Sequence, residues 1–215
     1  MLFCQCYGFC IISLQMLDLN YMKIQPKILV LVGMSGAGKS TCVEHLEAKE
    51  IPSVYFGGVV VNEVKKRYGA DGVTAEHEKL VREQMREVDG KGAIAMRIIP
   101  ELDALLETHR WVVADGLYSW TEYKMFKEHY GDSALIVAIT APRHLRHKRL
   151  AHRPVRPLTE QEVSAREYAE IENIEKGGPI ANADYTITND NDAYALLQNL
   201  DNLLIDVGFP LTSKK

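Results

Sequence analysis

The sequence predicts an α/β fold: a parallel five-stranded sheet with helices on both faces. Three observations lead there. The apolar runs at 27–32, 111–114 and 134–140 are continuous rather than alternating, as in strands covered on both sides. Helical patterns separate them, and alternating strands and helices imply right-handed crossovers. A length of 215 residues suits one domain with a full core, and 47% hydrophobic with 25% charged residues excludes disordered, collagen-like and disulfide-dense chains.

Residues 1–21 differ from the rest of the chain. They hold one charge, Asp18, and an apolar stretch from Phe9 to Leu19 broken by Ser13 and Gln15. There is no positive leader for a secretory signal, and the stretch is too short and interrupted to span a membrane. Cys4, Cys6 and Cys10 could be read as a metal or acylation site; the reading adopted is a non-native or disordered extension, with Met22 as the true start. Only Cys42 lies in the main body, so no disulfide framework is expected, and a cytoplasmic setting follows.

Lys27 to Val32 is the first strand, followed by a glycine-rich turn and a helix from Lys39 to about Lys49. Ser53 to Phe56 is a short second strand, broken by Gly57-Gly58. Residues 59–108 read as helical in several pieces, punctuated by Gly69, Gly72, Gly90, Gly92 and Pro100. Trp111 to Ala114 is the third strand, ending at Asp115-Gly116, and Ser119 to Tyr130 a helix. Ala134 to Thr140 is the fourth strand, and Pro142 opens a helix at its first position. Residues 153–157, Arg-Pro-Val-Arg-Pro, stop that helix. Thr159 to Glu175 is a charged helix with a Thr159/Glu162 capping-box spacing, ended by Gly177-Gly178-Pro179. Tyr185 to Thr188 is the last strand and Asp192 to Val207 the last helix. Residues 22–215 then form one domain, with segments at about 57–108 and 150–182 standing over the carboxyl edge, where such sheets bind ligands.

Gly33-Met34-Ser35-Gly36-Ala37-Gly38-Lys39-Ser40-Thr41 fits the phosphate-cradling pattern G-x-x-x-x-G-K-[ST], after a buried strand and opening a helix as that pattern requires. Glycines let backbone N–H groups turn inward around phosphate oxygens, and the helix N-terminus adds partial positive charge. Lys39 can reach the outer phosphates, and the Ser40 hydroxyl can ligate Mg²⁺. Asp115, closing a buried strand, can hold a Mg²⁺-bound water or accept a proton from an acceptor hydroxyl; both roles stay open. Arg143, Arg146, Lys148, Arg149, Arg153 and Arg156 lie in a stretch without Asp or Glu. Arg149 and Arg153 share a helical face and are assigned to neutralising phosphate charge; the outer cations are assigned to solvent. His144, His147 and His152 have no cysteine or carboxylate beside them and read as surface residues.

These stretches, with Ile98-Ile99-Pro100-Glu101-Leu102, Val113 to Leu117, Arg149 to Arg153 and Ala183-Asp184-Tyr185-Thr186-Ile187-Thr188-Asn189-Asp190, resemble the small P-loop nucleotide kinases: the adenylate kinase and dephospho-coenzyme A kinase group, and within it a dephospho-CoA-kinase-like branch. The resemblance covers roughly residues 27–207. It implies a P-loop NTPase fold in which a core binds ATP, the 57–108 segment is an acceptor lobe and the 150–182 segment a lid. It also implies Arg149 along the adenine, Asn189 near the adenine edge, Arg153 on the phosphates, and Arg166 closing over them. Arg82, Arg86 and Arg97 become candidates to hold an acceptor phosphate.

One departure matters. Related kinases carry Gly-Asp after the second strand; here Gly57-Gly58 stands there, without the carboxylate. The glycines admit close approach of a ligand. The resulting expectation is a kinase using ATP and Mg²⁺ on a small nucleotide-like acceptor, dephospho-CoA or a nucleoside or nucleotide. The alternative is a nucleotide-binding switch with weak ATPase activity. The net charge of −4 disfavours a nucleic-acid partner, and nothing in the sequence indicates oligomeric state.

Overall fold

A computed structural model describes residues 27–154, 156–210, 212 and 214, so the expectation for residues 1–21 lies outside the described residues. Five parallel strands form one sheet: β1 (Ile28–Val32), β2 (Ser53–Tyr55), β3 (Val112–Asp115), β4 (Ala134–Thr140) and β5 (Tyr185–Thr188), in the order β2-β3-β1-β4-β5. β1 is central because it is apolar on both faces; all five of its residues are buried. Alternate residues of the strands serve opposite cores. Ile28, Val30, Val32, Val112, Ala114 and Ile136 face one. Leu29, Leu31, Val113, Val137 and Ile139 face the other. Each large aliphatic side chain so covered contributes roughly 1.5–3 kcal/mol.

The second face is closed by α1 (Lys39–Glu47) and α9 (Ala193–Asp206), through Cys42, Leu46, Leu196 and Leu200. The first is closed by α2 (Phe56–Tyr68), α3 (Ala75–Asp89), α4 (Ala95–Thr108) and α5 (Trp120–Tyr130). α6 (Arg143–His152), α7 (Glu160–Glu172) and α8 (Gly177–Ala181) follow β4. No helix among the described residues is long and apolar enough to cross a membrane.

Four local expectations are corrected. Gly57-Gly58 does not break the chain: β2 ends at Tyr55, and both glycines lie in the first turn of α2. Burial of Phe56, Val60 and Val64 on one stripe overrides the roughly 1 kcal/mol that each glycine costs a helix. Pro100 lies inside α4 rather than between helices. Pro142 is the N-cap residue of α6, one position before the first helical one. α7 ends at Glu172, and Gly177-Gly178-Pro179 open α8 instead of merely stopping α7. The Thr159/Glu162 capping box is formed: Thr159 N–H donates to Glu162 Oε2 at 2.7 Å, and Glu162 N–H to Thr159 Oγ1 at 3.3 Å.

Candidate active site

Strand register gathers the site at the carboxyl edge. Leu31 pairs with Asp115, Tyr55 also pairs with Asp115, and Thr140 pairs with Thr188. Asp115 and Gly33 therefore leave the sheet from the adjacent strands β3 and β1, and Asn189 leaves the same edge from β5, beyond β4. The loop from Gly33 to Gly38 turns there and opens α1 at Lys39, with Ser40 exposed and Thr41 next in the first turn. Gly38 has φ 108°, and a Cβ on it would lie 2.3 Å from Asn189 Nδ2. That approach is used: Asn189 Nδ2 donates to the Ala37 carbonyl at 2.8 Å. Arg149 completes this end, its Nη2 donating to Asn189 Oδ1 at 3.1 Å and to the Asn189 carbonyl at 3.2 Å. The structure thus brings together Arg149, Asn189 and the loop residues Ala37 and Gly38.

The other end of the loop is built by a different segment. Lys39 Nζ donates to the Gly33 carbonyl at 2.7 Å. Burial, then the nearby Lys176 charge, lowers the Lys39 amine to about 8, while Asp115 and Glu170 pull it back up. Burial raises the Asp115 carboxyl, and Lys39 and Lys176 oppose that rise. From α7, Glu170 reaches the loop: Ser35 N–H donates to its Oε2 at 3.2 Å, and the Ser35 hydroxyl to its Oε1 at 2.5 Å. Lys176 Nζ lies 3.1 Å from Glu170 Oε1, and Arg166 Nε donates to Ser35 Oγ at 3.0 Å and to Glu170 Oε1 at 3.3 Å. Burial pushes the Glu170 carboxyl up, but Lys176, the two Ser35 bonds and Arg166 together outweigh it and hold it at about 2.

Glu170 and Lys176 were missed in the sequence. The only signal was indirect: Arg166 and Glu170 are four apart on α7, and Lys176 precedes the glycine pair. Lys176 is 5% exposed, and its amine lies 5.1 Å from the centre of the Tyr118 ring.

A third cluster lies beyond Tyr118. Glu122 is fully buried; its Oε2 accepts from Tyr118 N–H at 2.7 Å and Ser119 N–H at 3.0 Å, closing a capping box on α5. Its Oε1 lies 4.0 Å from Arg86 Nη2. Arg86 Nε and Nη2 and Glu122 Oε1 are buried without a hydrogen bond. Burial lowers the Arg86 guanidinium, Glu122 opposes this, and neighbouring Arg82 adds to it. Gly57 lies against the Tyr55 ring, where a Cβ would be 2.3 Å from the hydroxyl end. Gly58 is one residue further along α2.

Two predicted residues stand apart. Exposed Arg97 pairs with Asp89 at 2.6 Å and donates to the Ala93 carbonyl, bracing α3 against α4. Arg153 donates to the Arg156 carbonyl at 2.6 Å; burial lowers its guanidinium, and the neighbouring Arg166 lowers it further. Of the other side chains of that stretch, Arg143, Arg146 and His147 all converge on Glu167 of α7, at 2.9, 2.6 and 3.1 Å. Those contacts tie α6 to α7. The expectation that Arg143 and His147 serve only a solvated face therefore gives way to a structural role.

Ser40 and Asp115 offer one hydroxyl and one carboxylate at the loop. Hard oxygen donors of that kind suit Mg²⁺, which keeps several of its own waters and shares phosphate oxygens. No cluster of three or more His, Cys, Asp or Glu able to hold a metal by itself occurs among the described residues.

Residues 29–174 match the family model described as an AAA domain. A UPF0200 protein of Saccharolobus islandicus is 32% identical over 175 residues, covering 80% of this chain and 89% of its own. A UPF0200 protein of Thermococcus onnurineus is 34% identical over 166 residues, covering 76% and 88%. Among solved structures, TT1252 from Thermus thermophilus superposes with a TM-score of 0.59 at 19% identity, covering 86% of this chain and 99% of the other. Shikimate kinase from Bacteroides thetaiotaomicron gives 0.53 at 16%, covering 83% and 98%. At these identities the likeness is one of fold, and the fold is that of the P-loop kinases.

Proposed function

The chain belongs to the UPF0200 protein family and carries an AAA domain, and from that premise we propose that it is a Mg²⁺- and ATP-dependent small-molecule kinase. Its acceptor is nucleotide-like and anionic, with dephospho-CoA or a nucleoside or nucleotide as the first candidates. The observation that carries this reading is the convergence, at one end of the phosphate loop, of Lys39 from the start of α1 and Asp115 from the end of β3 with Arg166 and Lys176 from the segment after β4.

Gly33 to Thr41 hold the phosphates. Arg149 and Asn189 take the base end. Segment 150–182 acts as the lid, and Lys39, Arg166 and Lys176 neutralise charge that shifts to the bridging and outer oxygens during transfer. Arg153, beside Arg166, adds to that field as the lid closes. Ser40 and Asp115 would hold Mg²⁺, whose chemistry there would be to neutralise phosphate charge. Closure excludes water and so favours the acceptor over hydrolysis.

Segment 57–108 supplies the acceptor side. Arg86, with Arg82 beside it, is a buried cation with unspent donors, which suits a phosphate or carboxylate on the acceptor. Arg97 is committed to Asp89 and takes no part. With Gly58 where related kinases have an aspartate, Asp115 is the carboxylate left to orient the acceptor hydroxyl. That same substitution is what favours the second reading, a nucleotide-driven switch with slow ATP hydrolysis.

The test is incubation with Mg²⁺-ATP and a panel of dephospho-CoA, nucleosides and nucleoside monophosphates, with products identified by mass spectrometry. One acceptor gaining one phosphoryl group with matching ADP is the expected result. In Lys39→Ala, transfer should fall by about a thousandfold or more with the fold intact. ADP released without a phosphorylated acceptor would transfer the assignment to the switch.

A further inference from the structure

The donors at the outer end of the phosphate loop are already in use. Ser35 offers one backbone N–H and one hydroxyl, and both go to Glu170, 135 residues away. The same carboxylate holds Lys176 at 3.1 Å and Arg166 at 3.3 Å. Four donors from two segments thus surround one anion, and the anion belongs to the protein. Glu170 is 5% exposed, so its carboxylate is built into the site rather than resting on a surface.

The two ends of the loop can be told apart. Ala37 and Gly38 face Asn189 and Arg149, the base end in the kinase reading. Ser35 lies at the opposite end, where the charges of Lys39, Asp115, Glu170 and Lys176 act on one another. A triphosphate entering along the loop places its last phosphate there. A single N–H cannot serve two anions, and a carboxylate left in place would repel the incoming charge.

We propose that Glu170 occupies the subsite of the nucleotide's terminal phosphate and is exchanged for it, so that a triphosphate must displace Glu170 from Ser35 while a diphosphate leaves it in place. The exchange breaks the two Ser35–Glu170 bonds and frees Arg166 and Lys176 to hold the phosphate instead. α7 is thereby tethered to the loop by an ion of its own until a stronger anion arrives. A terminal phosphate brings three oxygens and more charge than one carboxylate, and so wins the donors.

This inference rests on the nucleotide-binding part of the kinase reading, but not on the identity of the acceptor. The experiment is calorimetric titration of the full chain with Mg²⁺ and either ADP or a non-hydrolysable β,γ-imido ATP analogue. The variants are Glu170→Gln, which removes the competing charge, and Glu170→Asp, which keeps the charge beside Lys176 but draws it back from Ser35. The analogue should bind Glu170→Gln at least fivefold more tightly than wild type, and ADP less than twofold more tightly. Glu170→Asp should tighten the analogue by about twofold to threefold, again sparing ADP, and it carries the test if Glu170→Gln does not fold. Equal gains for both nucleotides would reduce Glu170 to a long-range charge and overturn the exchange. Weaker analogue binding would make Glu170 a positioning residue for the bound triphosphate, and would also overturn it. Wild type that binds the nucleotides without the predicted split in the variants overturns this inference alone; wild type that binds neither nucleotide overturns the kinase reading with it.

Discussion

Lys176–Glu170 and Arg86–Glu122 are both buried ion pairs, and Tyr118 stands between them: Lys176 lies over its ring, and its N–H donates to Glu122. They are not equally complete. The first closes at 3.1 Å and both Glu170 oxygens are bonded. The second stays open at 4.0 Å, with orphaned atoms on both partners. Taking charges out of water costs several kcal/mol per ion, and close pairing with further hydrogen bonds is what offsets it. The first pair meets that condition from within the chain. The second does not: Arg86 keeps unspent donors beside Glu122. One cluster is filled by the protein; in the kinase reading proposed above, the other is left to the acceptor's anion.

Four experiments press on that difference. Glu122→Ala should cost the most stability, about 4 kcal/mol, because it strands Arg86 and also removes the cap on α5; chemical denaturation would measure it. Glu122→Gln, which keeps the cap geometry, should cost less. Next, Arg86→Met should raise the acceptor KM by about thirtyfold while leaving the ATP KM within twofold, since a hydrogen bond to a charged group is worth about 2 kcal/mol. A matching rise in both constants would place Arg86 in the fold rather than the acceptor site.

The third concerns pH. The Lys39 amine is lowered from 10.5 to about 8 by burial and by Lys176. Between those values the unfolded chain binds the extra proton, so this group makes stability rise with pH from about 8 to 10.5. Phosphate binding needs that proton, so nucleotide affinity should fall above pH 8, by up to about tenfold per unit. Opposite slopes in a stability titration and a binding titration, both flattened in Lys39→Met, would identify the group. The smallest effect is expected for Arg97→Ala. Its pair with Asp89 is partly exposed, so the loss should stay below about 1 kcal/mol and turnover should hold within twofold.

The phosphate loop was legible because its chemistry is contiguous: nine residues carry the turn, the lysine and the hydroxyl, and a buried strand precedes them. The strand layers were legible for the same reason, since continuous apolar runs encode burial on both faces. What stayed hidden is built across distance. Glu170 looks like one more charge on a polar helix until folding sets it against Ser35, and Glu167 gives no sign that it gathers two arginines and a histidine from α6. Gly57-Gly58 misled because glycine is a poor helix former on average, whereas here the stripe of Phe56, Val60 and Val64 decides the outcome. The Ala183-Asp184 stretch proved partly architectural: Asp184 accepts from the Ile136 N–H at 2.7 Å and pairs with Lys127 at 3.2 Å, fixing where β5 begins.

The bond from Asn189 to the Ala37 carbonyl spans 152 residues of chain. Synthesis runs from the amino end, so the loop leaves the ribosome long before the side chain that fixes its inner wall. A nascent chain halted anywhere before β5 carries the whole phosphate-binding pattern without the amide that shapes it. The inner wall of the loop is therefore completed only after β5 and Asn189 have been made.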